Sequence, residues 1–240
     1  NSASNNEAMA LIYENASFYV RGALEWADNL YNKAIESAPD SPTPYLRMAL
    51  INMARSNTET DKAQQEYYIN EAIKKYNLAI AKKSDFGAAY YGQAIAYEKL
   101  NKIDNAIEQL KKAVLLTRDN ADYRFELGRL YFNRGVAQSS LAQNAPEDIT
   151  NGNGTEEDLS VSSQAGCTVK KNDDITAAEQ LFLSITQAIP NHATALYSLA
   201  LLYQKTGETD SARLMVKQLL NTVTDQPSID VIKKQFSGLY

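Results

Sequence analysis

Apolar and small residues between Gly87 and Asn120 fall into two stripes at helical spacing. Tyr90, Ala94 and Tyr97 share one face of a first helix, Asn101 sits at a turn, and Ala106, Leu110 and Ala113 form the facing stripe of a second. The same spacings return from 193 to 226, through Leu196, Leu199, Ala200 and Tyr203, a turn at Gly207, then Ala212, Val216 and Leu219. An earlier copy spans 8–41, with Leu11, Phe18, Gly22, Ala27, Tyr31, Ala34 and Pro39. A fixed 34-residue interval predicts a chain of helical hairpins, each of which must stack on its neighbours to bury both faces.

Two further copies carry insertions. The copy at 42–86, with Tyr45, Met48 and Ala49 in one helix and Ala72, Tyr76 and Ala79 in the next, is long by 11 residues. These residues predict extra turns on a helix from about Asp61 to Lys83, capped by Thr58 or Asp61. The copy at 121–192 is interrupted by 38 residues, 136–173, which contain no aromatic residue and carry six acidic against two basic groups. That composition predicts a largely mobile loop, in which Leu159 and Val161 could pair with Cys167 and Val169 as a short hairpin.

Small residues (Ala27, Ala49, Ala72, Ala94, Ala106, Gly128, Ala178, Ala200 and Ala212) stand where two backbones must approach closely. Gly22, Gly135 and Gly207 are expected to end first helices in the left-handed conformation, and Pro39 and Pro190 to stop second ones. Ser41 and Pro42 read as an N-cap and a first helical residue. Residues 228–240 place Ile229, Ile232, Phe236 and Leu239 on one face, as a closing helix would.

With these residues in place, the chain resembles the tetratricopeptide repeat family. The likeness is strongest from Tyr123 to Gly135 and weakest in the opening unit, where Glu14 and Asn15 occupy the usual Leu-Gly pair. The resemblance implies an all-α fold: an α-solenoid, a right-handed superhelix of five tandem helix-turn-helix hairpins in a single domain over 1–240, closed by a capping helix at 228–240.

Composition narrows the chemistry. Twenty-four Lys and Arg against 29 Asp and Glu give a net charge of −5, which repels phosphate backbones, so nucleic acid is not an expected partner. No apolar stretch is long enough for a membrane span, and direct insertion by this chain is not expected. The chain opens on Asn1 rather than Met, which predicts a processed or excised piece and leaves cytoplasmic and extracytoplasmic locations open. One Cys and one His cannot close a zinc site, the Asn151-Gly152-Asn153-Gly154 run puts Ile149 on a calcium-ligand position, and no phosphate-binding glycine pattern occurs. No cofactor, metal or catalytic residue is therefore expected. His192 reads as a solvated turn residue and Cys167 as a free surface thiol.

What remains is the inner wall of the solenoid. By the family's pattern it is lined by Tyr19 and Val20 of the first unit, Leu46, Leu50 and Met53 of the second, and Tyr91, Ile95 and Lys99 of the third. Phe125, Arg129, Phe132 and Asn133 follow from the fourth, and Tyr197, Leu201 and Lys205 from the fifth. Aromatic and Arg side chains often carry interface energy, so the strip is a candidate groove for a peptide or helix of another protein. Alanine at Tyr91, Phe125 and Phe132 is then expected to abolish capture without altering the melting temperature; packing of these side chains as core is the competing reading. Leu46, Tyr91 and Phe125 stand where a chaperone-tail carboxylate clamp needs Lys or Asn, which argues against that function. A second reading makes the chain an accessory domain of a larger bacterial protein, such as a membrane-embedded cell-surface polysaccharide polymerase or glycosyltransferase. Association into a homo-oligomer by end-to-end stacking is left open.

Overall fold

The computed structural model describes residues 2–143 and 168–239. Eleven helices and no strand occur among the described residues, an all-α solenoid fold built of helical hairpins. Two compact units divide the chain, Asn1–Tyr123 and Arg124–Tyr240.

Unit 1 holds three hairpins: α1 (Ser2–Ala16) with α2 (Ala23–Ser37), α3 (Thr43–Thr58) with α4 (Lys62–Lys82), and α5 (Gly87–Lys99) with α6 (Ile103–Leu116). The 11 additional residues lengthen α4 to 21, and Asp61 caps it by accepting from the backbone N–H groups of Ala63 and Gln64. Where backbones cross, Ala27, Ala49, Ala72, Ala94 and Ala106 are completely buried. One core joins Ala10, Ala27, Tyr31, Met48 and Ile51, and another joins Ala49, Met53, Ile69, Ala72, Tyr76 and Ala89. The links between paired helices use left-handed residues at two places: Gly22, with φ 80°, and Asn101, with φ 57°. Asn tolerates that conformation better than most residues, so α5 can end without a glycine.

Partly buried polar groups tie the first three helices together. The Tyr31 hydroxyl donates to Glu14 Oε2 at 2.9 Å, and Arg47 pairs with Glu14 Oε1 at 3.5 Å. Glu14 therefore turns the unusual first-helix residue into an interhelix tie. Burial first, and Glu14 second, push the Tyr31 hydroxyl pKa far up. Arg55 on α3 meets Asp28 Oδ2 on α2 at 2.7 Å, while Asp28 Oδ1 is buried without a hydrogen bond.

Unit 2 holds the body of α7 (Ala121–Gln143), then α8 (Asp173–Ala188), α9 (Ala193–Thr206), α10 (Thr209–Thr222) and α11 (Gln226–Gln235). Its core gathers Phe182, Ile175, Ile185, Leu196, Leu199 and Val216, and Ala178, Ala200 and Ala212 are completely buried. Ile232, Phe236 and Leu239 at the C-terminal end are buried too, with Arg213 Nε donating to the Leu239 carbonyl at 3.1 Å.

Several local expectations need correction. Gly135 does not end a helix: α7 continues to Gln143, and the glycine is needed because a Cβ there would lie 2.8 Å from Asn172 Oδ1 and Ile175 Cγ1. The loop expectation for 136–173 fails at both ends. Residues 136–143 are helical, and residues 168–172 are pinned, with the Val169 N–H donating to the Lys205 carbonyl at 2.8 Å and Ser139 Oγ to the Lys170 carbonyl at 2.9 Å. Arg134 grips Asp174 through two parallel hydrogen bonds of 2.6 and 2.7 Å. Cys167, the Asn151–Gly154 turn and the Leu159 and Val161 positions lie outside the described residues. Ser41 is not a cap, because α3 starts one residue later, at Thr43, and its hydroxyl reaches Glu7 at 3.4 Å instead. Phe18 is 86% exposed, since α1 ends at Ala16 and leaves it in the turn. His192 is half-buried rather than free: its Nδ1 accepts from the Ala195 N–H at 3.3 Å and caps α9.

Burial, above all, holds the Asp28 carboxyl above its usual 3.8, against the lowering effect of Arg55. The folded state thus binds this proton more tightly than the unfolded chain. The stability that Asp28 contributes is fully present below about pH 3.8 and is lost as pH rises through its raised value. Asp28→Asn does not titrate, so urea melts from about pH 4 to about pH 7 should show the variant gaining on the native protein as pH rises. A stability difference independent of pH would contradict this account.

Candidate functional site

The first opening in unit 1 is an apolar groove of about 430 Å³. α3 contributes Leu46, Leu50, Met53 and Asn57, and α5 contributes Ala88, Tyr91, Gly92, Ile95 and Lys99. Leu46, Leu50 and Met53 recur at i, i+4 and i+7, so one face of α3 forms a continuous apolar wall. Tyr76 of α4 lies under the groove, and its ring explains Gly92: a Cβ at that position would come within 2.5 Å of the ring. Burial pushes the Tyr76 hydroxyl well above its ordinary pKa, with the nearby Tyr91 adding to the shift. Tyr123 closes one side, stacked on Tyr91 with ring centroids 4.5 Å apart and planes 17° from parallel. The groove holds one charged residue, Lys99, whose ammonium makes no hydrogen bond or ion pair among the described residues. No carboxylate lines it.

Unit 2 carries a shallower apolar depression of about 280 Å³, lined by Phe125, Ala193, Thr194, Tyr197, Ser198, Leu219, Val223 and Ile232. Phe125 leans on Phe182, at 5.6 Å between centroids, and faces the His192 ring at 6.2 Å. Phe236, which follows α11, meets the Tyr197 ring edge-on at 5.5 Å, so the chain's own C-terminal segment covers part of this wall.

Of the residues read from the sequence as a binding strip, Leu50, Tyr91, Ile95 and Lys99 share the unit 1 groove, and Phe125 and Tyr197 share the unit 2 depression. The others line neither. Tyr19 stands 91% exposed in the α1–α2 turn because α1 stops before it, and Val20 beside it is exposed as well. Phe132 is a core residue, 9% exposed, so the expectation that it faces a ligand is wrong. Arg129 pairs with Glu126 at 2.7 Å, Leu201 is half-buried, and Asn133 and Lys205 are exposed. Sequence reasoning missed Asn57, Tyr76, Gly92 and Tyr123 as parts of the site. Gly92 was the available signal, since a glycine inside a helical pattern marks close approach; nothing local announces the stacking of Tyr123 on Tyr91.

Comparison with known proteins identifies the repeat and the fold. A family model of the TPR repeat matches residues 96–135. The fold matches the crystal structure of MamA with a TM-score of 0.60 at 18% identity, covering 88% of this chain and 94% of that one. It also matches a tetratricopeptide repeat protein from Parabacteroides merdae with a TM-score of 0.62 at 14% identity, covering 100% of this chain and 72% of that one. The chain carries a TPR repeat over residues 96–135 and has the fold of tetratricopeptide repeat proteins. Protein O-mannosyl-transferase TMTC3 of Homo sapiens is 26% identical over 194 residues, 81% of this chain. The chain spans only 16% of that curated relative's length.

Tetratricopeptide folds are typically non-catalytic scaffolds that bind other proteins, and this one supports an interaction role. Among the described residues no cluster of three His, Cys, Asp or Glu side chains could hold a metal ion, and no helix is long and apolar enough to cross a membrane.

Two substitutions separate core from groove. Phe132→Ala should lower unfolding free energy by about 3–5 kcal/mol, as truncation of a buried aromatic does, measured by urea titration; a loss below about 1 kcal/mol would return Phe132 to the surface. Gly92→Ala should cost about 1–3 kcal/mol despite alanine's better helix propensity, because its Cβ would come within 2.5 Å of the buried Tyr76 ring and force it to shift. A stabilised Gly92→Ala protein would show that the ring can move.

Proposed function

We propose that this chain is an interaction module whose unit 1 groove receives an apolar segment of another protein, with Leu50, Tyr91, Ile95 and Lys99 as its contact residues. The observation that carries this reading is the groove's composition: an open apolar wall with stacked aromatic rings and a single unpaired cation. Apolar surface left open in this way favours a partner that removes it from water. Burying one leucine-sized side chain there is worth roughly 1.5–3 kcal/mol, so two or three anchors give measurable affinity.

Selection of displayed random peptides against the intact chain tests the reading. Clones should emerge that bind the native protein and lose about tenfold or more affinity for Leu50→Glu, a change at a partly exposed position that leaves the core alone. Selected clones indifferent to Leu50→Glu would place binding elsewhere and remove the groove from the function.

A second reading is favoured by one observation, the match of 81% of this chain to 16% of a much longer transferase. In it the chain is the accessory repeat region of a larger glycosyltransferase-type protein, and the groove positions the protein on which that larger molecule acts. Apolar membrane spans encoded in the same reading frame would support it, and a frame encoding these repeats alone would dismiss it.

A further inference from the structure

Stacked hairpins use one side of their helices to face the hairpin before them, and the second hairpin shows which positions do so. Thr43 and Arg47 on α3 border a cleft with Ala8 and Leu11 of α1, and Lys75 on α4 acts on the charge of Asp28 on α2. The 34-residue interval makes Met9 and Tyr13 the equivalents of Thr43 and Arg47. The buried pair Tyr31 and Tyr76 aligns α2 with α4 and makes Leu30 the equivalent of Lys75. Positions that are polar in the second hairpin are therefore apolar in the first, although no earlier hairpin stands against them among the described residues.

The face they form is open and aromatic. Tyr13 stacks on Trp26 with ring centroids 6.1 Å apart, and Trp26, the only tryptophan of the chain, is 61% exposed. Met9 and Ile12 are exposed beside them on α1, and Phe18 and Tyr19 are exposed in the turn that joins the two helices. Phe18, Tyr19 and Trp26 alone leave on the order of 450 Å² of aromatic surface in water. With Met9, Ile12 and the open edge of Tyr13, the face passes the roughly 300–600 Å² usual for a monomer and approaches the roughly 800 Å² per partner of a specific interface. The last hairpin meets the same need with the chain's own C-terminal segment, which buries Ile232, Phe236 and Leu239. Charge favours a second copy as the cover of the first. A chain of net charge −5 repels its own copies, yet both carboxylates of α1 turn away from this face, Glu7 to Ser41 and Glu14 to Tyr31 and Arg47. Two copies can thus meet here apolar to apolar, about a two-fold axis that sets the same residues against one another.

We infer that the outer face of the first hairpin is a dimer interface, on which a second copy of this chain lays its own α1 and Trp26 about a two-fold axis. The face shares no residue with the unit 1 groove, so the inference stands apart from the proposed peptide site.

Sedimentation velocity of the intact chain from about 1 to about 100 μM should show a monomer giving way to a dimer and to nothing larger, as a closed two-fold contact requires. Trp26 reports on the same step, because its emission should shift to the red on dilution as the ring returns to water. Ile12→Glu and Trp26→Glu, both at exposed positions, should each weaken association about tenfold or more. Thermal melts verify that both variants fold, and Leu50→Glu, in the groove, should leave the dimer unchanged. A monomer at all these concentrations overturns the inference. So does a dimer indifferent to both glutamate variants, a dimer lost in Leu50→Glu, or an assembly that keeps growing with concentration. Co-sedimentation of a persistent monomer with phosphatidylcholine vesicles, lost in Trp26→Glu, would give the face to a lipid surface instead.

Discussion

Close approach of helix backbones at small residues is the constraint on which the rest of the structure depends. Ala27, Ala49, Ala72, Ala94, Ala106, Ala178, Ala200 and Ala212 are all completely buried. At Gly128 even one added carbon would lie 2.7 Å from the Phe182 ring. Helices that nest so closely exclude water from one face of each hairpin, and their large residues fill the adjacent spaces at crystal-like density. The side chains not used in nesting are left to face outward or into a groove.

The unit 1 groove follows from the same geometry. Gly92 lets α5 sit over the Tyr76 ring, which leaves Tyr91 and Ile95 on the open side facing Leu46 and Leu50. Tyr91 is then steadied by stacking on Tyr123 rather than by burial. In unit 2 the corresponding tyrosine, Tyr197, is met by the Phe236 ring, so two copies of one motif have different neighbours.

The long insertion shows how a repeat tolerates added chain. α7 continues past the expected turn to Gln143, and the returning chain is fastened by the buried Val169, by its backbone N–H on the Lys205 carbonyl and by polar side chains. Asn172 donates to the Gly135 carbonyl at 2.9 Å and caps α8 through its own Oδ1, while Lys171 pairs with both Glu179 and Glu208. These bonds let the interrupted hairpin keep the register of its second helix.

The existence of the helices, the extended α4, the alanine positions of close approach and the repeat family were legible in the sequence. Helical periodicity, caps and a fixed interval are carried by residues three to 34 positions apart, and this pattern repeats along the chain. The role of each aromatic residue was not legible in this way. Phe132 and Phe125 stand seven residues apart at the same helical spacing, yet one is core and the other borders a depression. The cap made by His192, the glycine requirement at Gly135 and the stacking of Tyr123 on Tyr91 likewise depend on three-dimensional neighbours. Local sequence determined that these segments would be paired helices, because their hydrogen bonds and apolar stripes close within a few turns. Only the tertiary structure decided which side chains were left open, because exposure is set by what other parts of the chain place over each residue.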